Sequence, residues 1–170
     1  HGEIPEALYG MHVREMPEYL RLGAQGFSWE GHQSWIAALP SYYVCAKMMW
    51  DPLADGEALL RDFYQKFYAE AAEPMGRFFT RLEQCYRHIR HHPGWSDLDF
   101  LSDFSDGDMR YMRAALREAR RAAKDAMTRR RVQMMDLGFR YLTSVRDAQD
   151  GSRRVSFARR LKAADQALRY

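Results

Sequence analysis

Cysteine and long apolar runs are both scarce in this chain. Its two cysteines, Cys45 and Cys85, lie far apart and belong to no closely spaced metal or redox motif, which excludes a disulfide-rich scaffold. Both stand at apolar positions of predicted helices, so we expect them to be buried and reduced, although a disulfide between those helices is compatible with this placement. No apolar run approaches the ~20 residues of a transmembrane helix.

The chain also lacks a large excess of charge of either sign. Lys and Arg number 26 against 23 Asp and Glu, and a net charge of +3 gives no general reason to expect nucleic acid or an anionic membrane as a partner. The basic residues between Arg110 and Arg131 alternate with apolar residues at helical spacing. We therefore interpret them as a solvated outer helix face, with nucleic-acid binding as a distant alternative.

The length of 170 residues suits one domain with a sizeable core. It is too short for a whole (β/α)8 barrel, which needs roughly 250 residues. The chain opens with His1-Gly2-Glu3 and no apolar leader, so we expect it to be processed or a fragment of a longer protein.

The first 52 residues contain the one strand that we predict. Gln25 to Trp29 alternates briefly after the helix-stopping Gly23, and this pattern favours a strand. Pro17 either starts the preceding helix or kinks it. An aromatic-rich helix follows the strand, beginning or bending at Pro40 and closing at Asp51-Pro52, because the residue before a proline is pushed out of the α region.

The remainder is predicted to be helical throughout. Apolar residues recur at steps of three and four, which predicts helices over 57–71, from Pro74 to about residue 89, over 108–126, over 129–148 and from Ser156 onward. The register changes across Met127 to Arg131, so we expect the break there. The stretch from Trp95 to Asp108 holds five Asp and is predicted to be an Asp-rich loop, and Asp106 or Asp108 can cap the helix that follows it. The fold class is therefore mainly α.

The spaced residues of the first half resemble a known family. The resemblance rests on Gly26-Phe27, Glu30, Tyr42-Tyr43-Val44, the run from Ala46 to Pro52, Asp55, Leu59, Phe63, Phe67-Tyr68, Ala71-Ala72 and Met75. This order is similar to bacterial proteins that carry domain of unknown function 4838, a family grouped with α-glucuronidase-like and other barrel glycoside hydrolases. The similarity runs from about residue 20 to residue 86 and more loosely to residue 148. Tyr68-Ala69-Glu70 stands where the family commonly has Tyr-Gly.

The resemblance implies the last strand-helix unit of a truncated (β/α)8 barrel, residues 1–50, followed by a C-terminal helical bundle, residues 51–170. It implies that the parent protein is a glycoside hydrolase acting on an oligosaccharide or a uronic-acid-containing glycan. The helical domain would support the rest of the barrel and one edge of the sugar cleft. This chain alone should not hydrolyse anything, because the catalytic acid and nucleophile are expected upstream.

Three residues at the predicted strand end are candidates for contacting the sugar. Glu30 could accept hydrogen bonds from hydroxyl groups, since glycoside hydrolysis generally needs two carboxyl groups and only this one is present at a strand end. Trp29 offers an indole face to a pyranose ring, and His32 could bind a hydroxyl or a uronate carboxylate. The alternatives for Glu30 are direct catalysis or a structural or solvent-facing carboxylate. Those for Trp29 and His32 are a core tryptophan and a solvated loop histidine.

We predict no metal site and no cofactor. His88, His91 and His92 lie near a helix end where positive side chains complement the helix dipole, and the Asp-rich loop lacks the ligand spacing of a calcium loop. The rival function is a non-catalytic helical interaction domain, used for docking or for a homodimer. It would be favoured if residues 51–170 present an uncovered apolar face.

Overall fold

A computed structural model describes residues 4–29, 38–90 and 98–149. This part of the chain is mainly helical, as predicted. The α-helices are α1 (Tyr9–Arg21), α2 (Leu39–Trp50), α3 (Gly56–Tyr68), α4 (Ala72–Arg87), α5 (Asp106–Ala122) and α6 (Ala126–Gln149). Two 3-10 turns, Ala69–Ala71 and Asp99–Asp103, link α3 to α4 and precede α5.

The helix ends follow from local chemistry. Helix α1 runs continuously through Pro17 and stops before Gly23, whose φ of +90° favours glycine. Asp51 is extended at the end of α2, as expected of a residue that precedes a proline. The Asp55 carboxylate then caps α3 by accepting a hydrogen bond from the backbone N–H of Ala58 at 3.0 Å.

The start of α5 and the break before α6 both differ from the prediction. Ser105, not an aspartate, is the N-cap of α5, and Asp108 completes a capping box with it. The break lies at Ala123 to Asp125, ahead of the predicted position. The Asp125 carboxylate accepts hydrogen bonds from the backbone N–H groups of Met127 and Thr128, so it starts α6 there.

The core is built mostly from aromatic and methionine side chains. Helix α4 packs most extensively on α5, and α1 packs mainly on α2. The largest fully buried side chains are Tyr68, Phe78, Phe79, Phe104, Phe139, Met48, Met75, Leu82, Leu101, Met112, Leu116 and Met135. One continuous apolar cluster extends from Ile4 to Leu142 and so includes residues on both sides of residue 50. The division of the chain at that residue stays a prediction.

Two glycines allow α1 to approach its neighbours closely. The backbone N–H of Gly10 donates to Glu83 Oε1 of α4 at 2.9 Å, and a Cβ on Gly10 would lie 2.0 Å from that oxygen. Burial raises the pKa of the Glu83 carboxyl above its ordinary value, and the Gly10 N–H partly opposes this rise. A Cβ on Gly56 would lie 2.2 Å from a methyl carbon of Val13, so α3 begins directly against α1.

The predicted strand over Gln25 to Trp29 is wrong for these residues, which lie in neither a helix nor a strand. A strand requires a hydrogen-bonded partner, and no strand occurs in the ranges that the structure describes.

Cys45 and Cys85 are buried and free, as expected. Burial raises the pKa of the Cys45 thiol to about 11 and that of Cys85 to about 12. None of the helices described here is long and apolar enough to span a membrane.

Candidate functional site

Trp29 lies on the surface but is held by two other rings. Its side chain is 42% exposed. The His12 ring of α1 lies 4.5 Å away, centroid to centroid, at an interplanar angle of 55°. The Tyr42 ring of α2 meets the indole at 5.5 Å and 79°, an edge-to-face contact. Edge-to-face and tilted pairs are the favoured aromatic geometries, so the indole is fixed while part of its surface stays open.

His12 gives this site its polar component. It is a buried side chain at 8% exposure, and its Nε2 atom has no hydrogen-bond partner among the described residues. Burial lowers the pKa of His12, and the charge of Glu15 opposes this only in part. The imidazole is therefore neutral at neutral pH, and one of its nitrogens can act as a donor and the other as an acceptor.

Other exposed apolar side chains lie at the end of α1 and directly after it. Tyr19 and Phe27 form a tilted ring pair at 5.7 Å, and Tyr19 is 41% exposed. Leu20 and Leu22 are also exposed. We call Tyr19, Leu20, Leu22 and Trp29 the α1 apolar strip.

The structure locates only one of the three predicted sugar-contacting residues. Trp29 lies in the described part of the chain, whereas Glu30 and His32 lie outside the described residues. Sequence reasoning missed His12 and Tyr42 as neighbours of Trp29. His12 had a detectable signal, because Tyr9, His12 and Met16 are spaced at three and four residues on the buried face of α1. A polar residue at such a position calls for a partner or a role.

The sequence offered His88, His91 and His92 as its nearest approach to a histidine metal cluster. His91 and His92 lie outside the described residues. His88 Nδ1 lies 2.5 Å from the carbonyl oxygen of Gln84, at the end of α4. In the ranges described above, no group of three or more His, Cys, Asp and Glu side chains is placed to hold a metal ion.

Comparison with known families gives one match. Residues 8–80 match the model of the family described as Domain of unknown function (DUF4838), which covers α1 to the middle of α4 and so includes Trp29, His12 and Tyr42. Neither a curated protein nor a solved structure matches the chain significantly. Residues 8–80 therefore belong to the DUF4838 family.

Proposed function

We propose that this chain forms part of a carbohydrate-active protein of the glycoside-hydrolase type, in which Trp29 lines one edge of the sugar cleft. The observation that carries the proposal is the fixed, 42% exposed indole between His12 and Tyr42. The C–H face of a pyranose ring packs on such a flat apolar surface. The two supporting rings pre-organise the indole, so ordering it on binding costs little.

The neutral His12 imidazole adds to this support. Sugar hydroxyl groups both donate and accept hydrogen bonds, and a neutral imidazole can do the same. Its Nε2 has no partner in the described part of the chain. Because this atom is buried, a hydroxyl group presented beside Trp29 would become its partner only if the imidazole turned toward the surface.

Hydrolysis requires more than this site. A glycosidase generally places two carboxyl groups on either side of the scissile bond. In this proposal Glu30 contacts sugar hydroxyls and His32 a hydroxyl or a uronate, while the acid and the nucleophile come from other segments of the barrel. The chain then contributes binding, and we expect it to be inactive alone.

The rival proposal, a helical docking or dimerisation domain, receives less support. It needs a continuous apolar face on the helices after residue 51. The exposed large apolar residues described there are Leu53, Tyr111, Met127 and Met134. They are distributed over the α2–α3 connection, α5 and α6. The α1 apolar strip lies instead in the segment that we assign to the cleft edge.

Isothermal titration calorimetry with neutral xylo-oligosaccharides and with their glucuronic-acid-substituted forms tests the proposal. Trp29→Ala should weaken binding by about tenfold, the loss of one stacking contact. Trp50→Ala is the matched control, because Trp50 is 91% exposed. Equal affinities for both variants would refute the role of Trp29. Absence of binding to either glycan class by the unaltered chain would remove the support for a carbohydrate function.

A further inference from the structure

A concave surface lies between α3, α4 and α5, on different helices from the Trp29 site. Its volume of about 490 Å³ falls in the range of small-molecule sites. Its charged and amide- or hydroxyl-bearing lining on α3 and α4 comprises Arg61, Gln65, Glu73, Arg77, Thr80, Arg81 and Gln84, and the one carboxylate among them, Glu73, is paired with Arg77. We call this surface the arginine cleft. The guanidinium and amide groups make it rich in hydrogen-bond donors.

The arginines of the cleft are held by exposed or long contacts. Arg61 lies 3.9 Å from the Asp55 carboxylate, and both side chains are about two-thirds exposed, at 65% and 66%. Arg77 pairs with two exposed carboxylates, Glu73 and Glu118. Ion pairs of this kind contribute little to stability, so an entering anion can replace them at small cost.

Arg81 is positioned by an aromatic ring. Its guanidinium carbon lies 4.6 Å from the centroid of the Tyr111 ring of α5. The same group lies 3.4 Å from the Asp108 carboxylate, which also belongs to the capping box of α5. The cation–π contact keeps the guanidinium plane against the cleft wall, where its remaining N–H groups can reach a ligand.

Gly76 lines the cleft, and close packing of the helices does not explain why this position is a glycine. It lies inside α4, where glycine is less favourable than alanine. A Cβ there would meet only the Tyr64 ring, at 3.4 and 3.6 Å, which is ordinary van der Waals contact. The fold therefore accepts alanine at this position. A ligand bound in the cleft would occupy the space that an alanine side chain would otherwise fill.

We propose that the arginine cleft is a binding site for a small ligand that carries an oxyanion, either a carboxylate or a phosphate. Arg61 is the principal recognition residue, because the Asp55 carboxylate lies 3.9 Å away, beyond hydrogen-bonding distance. Its planar guanidinium group can bind either oxyanion through paired hydrogen bonds. Arg81 supplies a second, pre-positioned donor. This site is independent of the carbohydrate function proposed for Trp29.

The test is calorimetric titration of the chain at low ionic strength with three probes: inorganic phosphate, D-glucuronate and neutral methyl glucoside. Saturable binding of phosphate alone identifies a phosphate ligand, and binding of glucuronate alone identifies a carboxylate. Arg61→Gln should weaken the binding of that anion about tenfold. Arg113→Gln makes the same charge change at an exposed position of α5 outside the cleft, and should leave the affinity nearly unchanged.

Gly76→Ala separates binding from stability. It should raise the Tm by about 2 °C, because alanine is the better helix former, and it should weaken anion binding by narrowing the cleft. The proposal is overturned if neither anion binds saturably at millimolar concentration, or if methyl glucoside binds as tightly as the anions. It is also overturned if Arg61→Gln and Arg113→Gln lower affinity equally, or if Gly76→Ala leaves affinity unchanged.

Discussion

Ala69 has a backbone conformation that suits glycine, which predicts that Ala69→Gly stabilises the protein. Its φ of 44° is the only positive value found at a non-glycine residue in the described part of the chain. The residue ends α3, with its N–H donating to the Gln65 carbonyl, and its side chain is exposed. The DUF4838 resemblance places this alanine where a glycine commonly follows tyrosine. Helices often end on a glycine for this reason.

The size of the effect follows from two opposing contributions. Ala69 has φ 44° and ψ −116°, a sparsely populated combination that costs an L-residue with a Cβ about 1–3 kcal/mol and that glycine adopts more easily. Glycine also gives the unfolded chain more freedom, which lowers stability by about 0.4–1 kcal/mol. The exposed Ala69 methyl group contributes little burial, so the net gain should be about 1 kcal/mol. For a chain of this length, that corresponds to a Tm increase of about 2–4 °C.

Urea unfolding followed by circular dichroism measures this gain, and a neighbouring alanine provides the control. Ala72 has φ −55° and ψ −49°, ordinary helical values, at the start of α4. Ala72→Gly should therefore destabilise the protein by about 0.5–1 kcal/mol. The reasoning is refuted if Ala69→Gly also lowers the free energy of unfolding, or if the two variants change it equally.

Three further predictions concern contacts of α1. Gly10→Ala should lower the free energy of unfolding by about 2 kcal/mol, because the new methyl group would displace the Glu83 carboxylate that accepts the Gly10 N–H. If the loss is just as large in a Glu83→Ala background, this contact is not its cause. Gly56→Ala should cost about 1–3 kcal/mol by overpacking against Val13, and failure of Val13→Ala to restore part of it would contradict the contact. The pKa of Glu83 is higher in the folded protein than its ordinary value of 4.5, so the protonated carboxyl stabilises the fold. This stabilisation is complete below pH 4.5 and is lost as the pH rises through the folded-state pKa. Relative to Glu83→Gln, the unaltered protein should therefore lose stability between pH 4.5 and neutral pH in urea unfolding, and a constant difference would disprove it.

The sequence predicted the helices well because their apolar residues repeat with helical spacing. The predicted bounds 57–71 and 108–126 compare with Gly56–Tyr68 and Asp106–Ala122 in the structure. Periodicity did not reveal the position of the break before α6, since this depends on the Asp125 carboxylate binding two backbone N–H groups. The predicted strand over 25–29 depended on a partner strand, which a five-residue pattern cannot specify.

The candidate sites were less predictable, because both are made by residues distant in sequence. Trp29 was predicted to contact a sugar because its indole stands at the end of the predicted strand, but its neighbours His12 and Tyr42 come from two different helices. The arginine cleft arises where α3 and α4 meet α5. No prediction brought its arginines together, because residue spacing alone does not show which helix faces converge.

The three helical glycines discussed above fall into two classes, and this difference supports the arginine cleft. Gly10 and Gly56 each lie so close to a neighbouring helix that a Cβ would approach another atom to within 2.0 and 2.2 Å, so packing alone explains them. Gly76 meets its nearest side chain at an ordinary contact distance of 3.4 Å, so packing does not explain it. Alanine should therefore lower stability at the first two positions and raise it at the third. If Gly76→Ala raises the Tm and weakens anion binding together, the glycine in α4 serves the ligand and not the fold, because no packing defect could produce both results.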